Sequence, residues 1–158
     1  MFLVALSSID LARAQDPNPY FAAAPAKRLA LVVGNADYVN AAPLPGADDD
    51  AQELAETLRS LGFSVTEVLN VRSRAEFLQV HYLPFLDSIE EGSLVVFSFS
   101  GHGFTYGGES YLMPLEFPPK VKATKIFTTF LSETSLRELL NSRRPGVALI
   151  FRNCSPPS

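Results

Sequence analysis

Continuous apolar runs alternate with segments of helical spacing along the middle of this chain. Runs rich in Val, Leu, Ile and Phe cover residues 28–34, 94–100 and 147–151, and residues 63–69 are predicted to form a further strand. The continuous run at 28–34, closed by glycine, predicts a strand that is buried on both faces. Apolar residues at helical spacing occupy the segments 48–61, 73–90 and 131–141, and a short extra strand is predicted at 111–113. Strands alternating with helices predict an α/β domain with a mostly parallel sheet.

Length, charge and hydropathy narrow the class of protein further. The 158 residues, of which 47% are hydrophobic, are enough for one packed core and too few for two. The net charge is −4 and the sequence has no basic stripe, so we expect no nucleic-acid partner. No run of 18 apolar residues occurs, which predicts that no helix spans a membrane.

Residues 1–26 are predicted to form a leader and linker that precede the folded domain at 27–154. Residues 2–6 are apolar, and Ala-Arg-Ala at 12–14 has the form of a signal-peptidase site. A basic segment before the apolar run is missing, so the leader is interpreted as the remnant of a secretory signal or as a segment without a targeting role. The first interpretation predicts a periplasmic or secreted protein, and the second a cytoplasmic one. Residues 155–158 are predicted to be a tail.

Residues suited to chemistry follow the strands at the predicted centre of the sheet. Gly-Asn follows the first strand at 34–35, Ser-Gly-His-Gly ends the third at 100–103, and Arg-Asn-Cys ends the last at 152–154. Binding sites in open parallel sheets form beyond the carboxyl ends of the strands. Because neighbouring strands lie about 5 Å apart, we expect His102 and Cys154 to come within reach of each other.

A cysteine beside a histidine is typical of nucleophilic catalysis, because the thiol becomes a strong nucleophile when a base or imidazolium lies nearby. The chain has one cysteine and two histidines. His81 falls among apolar residues of a helical segment and is predicted to pack there. His102 lies between two glycines, whose amide groups can bind an oxyanion, and is therefore the predicted catalytic histidine.

Other site types fit the sequence poorly. Ser100 lacks the glycine two residues earlier that a nucleophile elbow requires. Residues 31–35 contain no dinucleotide-binding glycine pattern, and no P-loop occurs. One cysteine excludes an intrachain disulfide, and the few His and Cys side chains are too scattered for a structural zinc site. The sequence therefore predicts a site without a cofactor or a metal.

Several motifs then follow one another in a recognisable order. They are Arg28-Leu-Ala-Leu-Val-Val-Gly-Asn35 with Tyr38, Leu44-Pro45 with Asp50-Ala51, residues 58–63, Phe99-Ser-Gly-His-Gly103, Tyr111-Leu-Met-Pro114 and the last strand with Cys154. His102 precedes Cys154 by 52 residues, close to the spacing of about 50 in caspases. Over roughly residues 27–154 the chain resembles the caspase/metacaspase superfamily of cysteine peptidases, in particular the large-subunit region of bacterial caspase-like proteins.

The resemblance implies a three-layer α/β fold with strand order 2-1-3-4 and helices on both faces, here truncated after strand 4. It implies a hydrolase that cleaves proteins or peptides through an acyl-enzyme, with Cys154 as nucleophile and His102 as general acid or base. The backbone amides of Gly103 and Cys154 would bind the oxyanion. The chemistry itself needs no cofactor, although calcium activates some metacaspases.

The residues beside the cysteine depart from the family pattern, which is Asp-Ala-Cys-Arg, since this chain has Arg-Asn-Cys-Ser at 152–155. In metacaspase-like members that aspartate and the one matching Asp50 bind a basic substrate side chain. Asp50 and Arg152 are therefore the predicted substrate-binding residues. Arg152 is expected to repel a basic side chain, because like charges about 4 Å apart cost roughly 4 kcal/mol at an effective dielectric of 20.

The family resemblance also implies a small-subunit region with further strands, which the sequence does not include. Without it the last strand is an apolar edge, open to the missing small-subunit region or to a second copy of the chain. Residues 152–158 are interpreted either as the genuine end of a catalytic strand or as a shifted reading frame. Two functions stay open: a truncated caspase-like cysteine endopeptidase, and a non-catalytic caspase-like module that binds peptides or proteins.

Overall fold

A computed structural model describes residues 27–157 of this chain. The predicted leader at 1–26 lies outside the described residues, so the signal interpretation and the location that depends on it stay predictions. The strands are β1 Arg28–Gly34, β2 Ser64–Leu69, β3 Leu94–Tyr106, β4 Glu109–Leu112, β5 Leu131–Ser132 and β6 Val147–Ser155. The α-helices are α1 Ala47–Ser60, α2 Arg74–Glu76, α3 Leu83–Asp87, α4 Ile126–Thr129 and α5 Glu133–Asn141. A π-helical turn at Phe77–Tyr82 joins α2 to α3, and a 3₁₀ turn at Ala123–Lys125 precedes α4.

The main sheet has the strand order β2-β1-β3-β6, and all of its pairs are parallel. The predicted order 2-1-3-4 is confirmed, with β6 as its fourth strand. Beyond the parallel part, the end of β3 turns away and pairs antiparallel with β4, which in turn pairs with β5. The chain thus forms a second, small antiparallel sheet at the carboxyl end of the main one.

Helices cover both faces of the main sheet, which confirms the three-layer architecture. On one face α1 packs its small residues Ala51 and Ala55 against Ala30 and Val32 of β1. On the other face the helices around 74–87 and α5 enclose a larger core that contains Phe97. The interior residues of β1 and β3 are buried on both faces of the sheet, under the helices of the two layers, as strongly apolar runs predict.

The helical segment predicted at 73–90 forms one unbroken stretch over residues 74–87, in which the π-helical turn lies between α2 and α3. It begins where the Ser73 hydroxyl accepts a hydrogen bond from the Glu76 amide, a common N-cap arrangement. Pro84 has no N–H to bond the carbonyl four residues earlier, and the turn just before it widens to the π form. The buried hydroxyl of Tyr82 donates to the Leu136 carbonyl, so this turn is tied to α5.

The strand β3 is six residues longer than its apolar run, because its end is half of a hairpin. Gly107 and Gly108 form the turn between β3 and β4 with φ values of 59° and 81°. Positive φ at both positions is what a two-residue hairpin turn requires, and glycine adopts it without steric cost. The hairpin places the last residues of β3 beside β4. These residues contain no apolar run, so the sequence pattern did not predict this part of the strand.

A carboxylate connects this hairpin to the start of α5. Ser132 caps α5 by accepting a hydrogen bond from the Ser135 amide, and its hydroxyl donates to Glu109 at 2.9 Å. The amide and the hydroxyl of Thr134 also donate to Glu109, at 3.0 Å and 2.7 Å. These bonds from Thr134 lower the pKa of Glu109 below the ordinary glutamate value of 4.5, since they stabilise its charged form.

The substitution Glu109→Gln is expected to destabilise the fold at pH 7 and to have less effect in acid. Because the folded pKa of Glu109 lies below its unfolded value, its stabilising contribution is complete above that unfolded value and is lost as the pH falls through the lowered one. Urea unfolding of both proteins at neutral pH and near pH 3 measures this. Glu56→Gln, at an exposed position on α1, is the control; an equal effect of both substitutions contradicts the prediction.

The outer edge of β6 is unpaired within residues 27–157, since β6 pairs only with β3. Val147, Leu149 and Phe151 alternate along this strand, point to one face and are about half-exposed. This agrees with the expected apolar edge, which a further strand is suited to cover. No helix in the described part of the chain is both long and apolar enough to cross a membrane.

Candidate active site

His102 lies where β3 leaves the main sheet, and its side chain is only 3% exposed. Its Nε2 atom lies 2.8 Å from the Ala42 carbonyl oxygen, and its Nδ1 atom lies 3.1 Å from the Ser155 carbonyl oxygen. A carbonyl oxygen only accepts hydrogen bonds, so a neutral imidazole, which has one N–H, can donate to one of the two at a time. An imidazolium can donate to both.

Tyr38 supports the histidine from the loop that follows β1. Its ring centroid lies 4.5 Å from that of His102. Its hydroxyl accepts a hydrogen bond from the His102 amide at 2.7 Å and donates to the Met113 carbonyl at 3.1 Å. Burial raises the pKa of Tyr38 to about 12, so the phenol is neutral near pH 7. Sequence reasoning noted Tyr38 as part of a motif but assigned it no role.

Asn35 is a second supporting residue, which the sequence analysis placed at the end of the first strand without a specific role. It is fully buried, at 0% exposure, directly after β1. Its Nδ2 atom donates to the Met113 carbonyl at 3.1 Å, and its Oδ1 atom accepts from the Val71 amide at 2.9 Å. The signal available in the sequence was a polar amide directly after a buried strand, since a buried amide must find hydrogen-bond partners. Asn35 and Tyr38 share the Met113 carbonyl as acceptor, and the Met113 amide donates to the His102 carbonyl at 3.0 Å. Both side chains thus support the residue after β4 that is bonded to His102.

Cys154 lies on β6, opposite Gly101 in the strand pairing, while His102 is opposite Ser155. The two predicted catalytic residues are therefore on adjacent strands, one pairing position apart. Successive side chains of a strand point to opposite faces, so this pairing directs the imidazole and the thiol to opposite faces of the sheet. The Cys154 sulfur would lie 3.2 Å from a Cβ atom at Gly103, so any larger residue at 103 would crowd the thiol. The two His102 nitrogens contact carbonyl oxygens rather than this sulfur.

Groups around the Cys154 thiol shift its pKa in opposite directions. Burial of the sulfur raises the pKa of Cys154, although the residue as a whole is exposed. The charge of Arg152 lowers this pKa, and the charge of Glu133 raises it. The net effect is upward, so the thiol form is favoured near neutral pH unless a substrate or a base changes the balance.

A cleft of about 310 Å³ opens beside the sulfur. Its walls come from the end of β3, from β4 and from β6, and they include Gly103, Thr105, Leu112, Arg152 and Cys154. Gly103, the predicted oxyanion residue, is paired with Leu112 at the start of the small sheet. A carbonyl group placed in this cleft could therefore approach both the thiol and the backbone of β3.

Asp50 lies near the start of α1, next to a second cavity at the carboxyl ends of the strands. This cavity of about 190 Å³ is lined by Asp50, Ser100, Asn153 and Ser155 with the loop that leads into α1. The Asn153 amide donates to the Asp50 carboxylate at 3.1 Å. The structure thus brings Asp50 to the end of β6, through Asn153.

Arg152 and Asp50 both line a cavity of about 560 Å³ at the carboxyl ends of the strands, but the Arg152 guanidinium is directed away from Asp50. This guanidinium is 2.8 Å from Glu133 on α5. Arg152 pairs in register with Phe99 and Asn153 with Ser100, and successive side chains of a strand point to opposite faces. Alternation along β6 therefore directs Arg152 toward the α5 layer and Asn153 toward Asp50.

His81 is half-buried in the π turn, 3.9 Å from Glu76. It lines a cleft with Arg28 and Ser64, at the amino ends of β1 and β2, whereas His102 lies at the carboxyl end of β3. Within residues 27–157 no cluster of three or more His, Cys, Asp or Glu side chains is arranged to hold a metal ion.

Comparison with solved structures shows the same fold in distant proteins. A protein from Geobacter sulfurreducens superposes with a TM-score of 0.60 at 20% sequence identity, over 80% of this chain and 49% of that one. The Drosophila initiator caspase Dronc superposes with a TM-score of 0.56 at 14% identity, over 78% of this chain and 47% of that one. The present chain thus spans about half the length of either structure. A search of curated protein sequences finds no significant match.

Comparison with family models gives the assignment. The model of the caspase domain, from the peptidase C14 family, matches residues 27–155. This match begins just before β1 and ends at the last residue of β6, so it includes every strand of both sheets in the described part of the chain. Because the match covers well over half of the sequence, the protein belongs to the caspase-domain peptidase family.

Proposed function

We propose that this protein acts as a caspase-like cysteine endopeptidase in which Cys154 is the nucleophile and His102 the general acid and base. The observation that supports this most is that both residues lie at the carboxyl ends of the paired strands β3 and β6, one pairing position apart. Supporting it further, the His102 backbone is held by Tyr38, and a cleft opens beside the sulfur. A cysteine and a histidine base at one edge of a sheet are the groups that nucleophilic thiol chemistry needs, and the imidazole must turn from the opposite face of the sheet to reach the thiol.

In the proposed reaction the Cys154 sulfur attacks the carbonyl carbon of the scissile peptide bond. The thiol proton passes to His102, for which the imidazole must exchange one of its carbonyl contacts for the sulfur. The amides of Gly103 and Cys154 stabilise the oxyanion. His102 then delivers the proton to the leaving amine, and a thioester remains on the sulfur. Water, deprotonated by His102, attacks the thioester and releases a carboxylic acid, and the proton returns to the thiol.

The proposed substrate-binding residues are Asp50 and Arg152, which have different surroundings. Asp50 faces Asn153 at the cavity beside the strand ends, whereas Arg152 is balanced by Glu133. Because this ion pair lies on the opposite face of β6 from Asn153, the Arg152 guanidinium is directed away from a basic group held at Asp50. We therefore expect peptides with Arg or Lys before the scissile bond to be cleaved faster than those with Asp.

The test is peptide cleavage by the full chain and by Cys154→Ala. Fluorogenic peptides with Arg, Lys or Asp before the scissile bond are the substrates. The substitution is expected to lower kcat/KM at least about a thousandfold, because it removes the atom that bonds to the substrate. Ser155→Ala, which keeps the thiol and the backbone carbonyl, is the matched control. Turnover that survives Cys154→Ala, or no turnover by the parent, contradicts the proposal.

A non-catalytic peptide- or protein-binding module is the second candidate function. The observation that favours it is the pair of carbonyl contacts that hold both His102 nitrogens away from the sulfur. In that case the same peptides should bind without being cleaved, and fluorescence anisotropy should give equal affinity for the parent and for Cys154→Ala.

A further inference from the structure

A buried carboxylate lies beside the strand that bears the cysteine. Glu133, at the start of α5, is 7% exposed. One of its oxygens is 2.8 Å from the Arg152 guanidinium, and the other accepts a hydrogen bond from Arg137. A charged group this buried is stable only when it is paired, which distinguishes this ion pair from the loose pairs of a protein surface. The Arg152 head group is thus held in one place.

Arg152 and Cys154 lie on the same face of β6, because they are two residues apart on one strand. Their Cα atoms are therefore separated by about 7 Å. Both side chains line the 310 Å³ cleft beside the thiol. At such a separation a fixed charge changes the stability of a thiolate appreciably when part of the surroundings is protein rather than water. Arg152 lowers and Glu133 raises the pKa of Cys154, which agrees with this geometry.

The other ionisable groups around the thiol are held by partners of their own. On β3, His102 contacts two carbonyl oxygens. After β1, Tyr38 has its pKa raised to about 12 by burial and is neutral. On α5, Arg137 is bonded to Glu133. On α1, Asp50 meets Asn153 on the opposite face of β6. On β4, Glu109 is bonded to the start of α5.

We propose that the Glu133–Arg152 ion pair sets the reactivity of the Cys154 thiol. Arg152 stabilises the thiolate through its positive charge. Glu133 fixes the position of the guanidinium, and its own negative charge limits this stabilisation. In this effect both are positioning residues, since they change the reactivity of Cys154, and the effect is separate from the substrate-binding role proposed for Arg152. Their place in catalysis rests on the proposed function, whereas their effect on the thiol can be measured without any substrate.

The test is the rate of alkylation by iodoacetamide as a function of pH, measured on the full chain. Cys154 is the one cysteine of the sequence, so the reaction reports on this thiol alone. Arg152→Gln is expected to move the midpoint of the profile to higher pH and to lower the rate at pH 7 about threefold. Glu133→Gln is expected to move the midpoint to lower pH and to raise that rate about threefold. Arg152→Lys, which keeps the charge, should stay within about twofold of the parent.

Arg143→Gln is the matched control, because Arg143 forms its ion pair with Asp87 and not beside the thiol. A midpoint that Arg152→Gln leaves in place, or moves no further than Arg143→Gln does, overturns the proposal. Thermal melting by circular dichroism checks the fold of each variant, and if Glu133→Gln unfolds, the two Arg152 variants decide. Failure of the parent to cleave peptides argues against the proposed function and leaves the alkylation result unaffected.

Discussion

Replacing Phe97 with alanine is expected to lower the free energy of unfolding by about 3–5 kcal/mol. Phe97 is 1% exposed in the middle of β3, the strand that pairs with both β1 and β6. Its ring centroid lies 6.2 Å from that of Phe77 and 5.8 Å from that of Tyr82. Truncation loses the transfer free energy of the ring and leaves a cavity that these neighbours cannot easily fill.

The matched control is Phe127→Ala. Phe127 lies on α4, is 62% exposed and has an edge contact with Tyr111 at 5.8 Å between ring centroids. Its loss is expected to cost about 1 kcal/mol, the scale of one aromatic pair. Urea unfolding at pH 7, followed by far-UV circular dichroism, measures both variants. Equal destabilisation by the two substitutions would show that Phe97 does not occupy the centre of the core.

The centre of the main sheet could be predicted because β1 and β3 are buried on both faces. Residues 28–34 and 94–100 are strongly apolar, and the structure has strands at these positions. Helix α1 was likewise predictable from the spacing of its apolar residues, and α5 from its apolar residues together with the serine at 132 that caps it. Strand order came from the family resemblance rather than from the runs, since a buried strand carries no local mark of which neighbour it pairs with.

The parts that could not be predicted depend on partners distant in the sequence. The last six residues of β3 have no apolar run and are strand because residues 101–102 pair with β6 and residues 103–106 pair with β4. In the same way β6 continues to Ser155, beyond its apolar run at 147–151, because it pairs with β3 over its whole length. The local residue pattern does not predict such pairing, since the stabilising hydrogen bonds come from another segment of the chain.

The candidate site was predictable only in part for a related reason. The adjacency of His102 and Cys154 follows from the rule that parallel strands end at one edge of a sheet. The roles of neighbouring residues depend on which face of β6 each side chain occupies, and this phase sets Arg152 beside Glu133 and Asn153 beside Asp50. A shift of one residue along β6 would exchange the side chains on its two faces. The position of a residue next to the cysteine in the sequence therefore does not predict which side chain it contacts.

The second large expected effect on stability concerns Asn35, near His102. Asn35→Ala is expected to lower the free energy of unfolding by about 2–5 kcal/mol, because two buried backbone groups lose hydrogen bonds and each unsatisfied group costs about 1–3 kcal/mol. These groups are the Val71 amide and the Met113 carbonyl, which Asn35 joins across the ends of three segments. The Met113 carbonyl keeps the Tyr38 hydroxyl as a donor, which sets the loss below the sum of two full penalties.

Asn40→Ala is the matched control for this prediction. Asn40 is exposed and its amide donates to the Phe117 carbonyl at 2.6 Å, so water can replace the lost partner and the expected cost is about 1 kcal/mol or less. Urea unfolding at pH 7 gives both values. Asn35→Asp adds a second comparison: it keeps an acceptor for Val71 but buries a charge and removes the donor to Met113, so it should destabilise at least as much as alanine. If neither Asn35 variant exceeds Asn40→Ala, the buried amide does not stabilise the segments after β1, β2 and β4 that it joins.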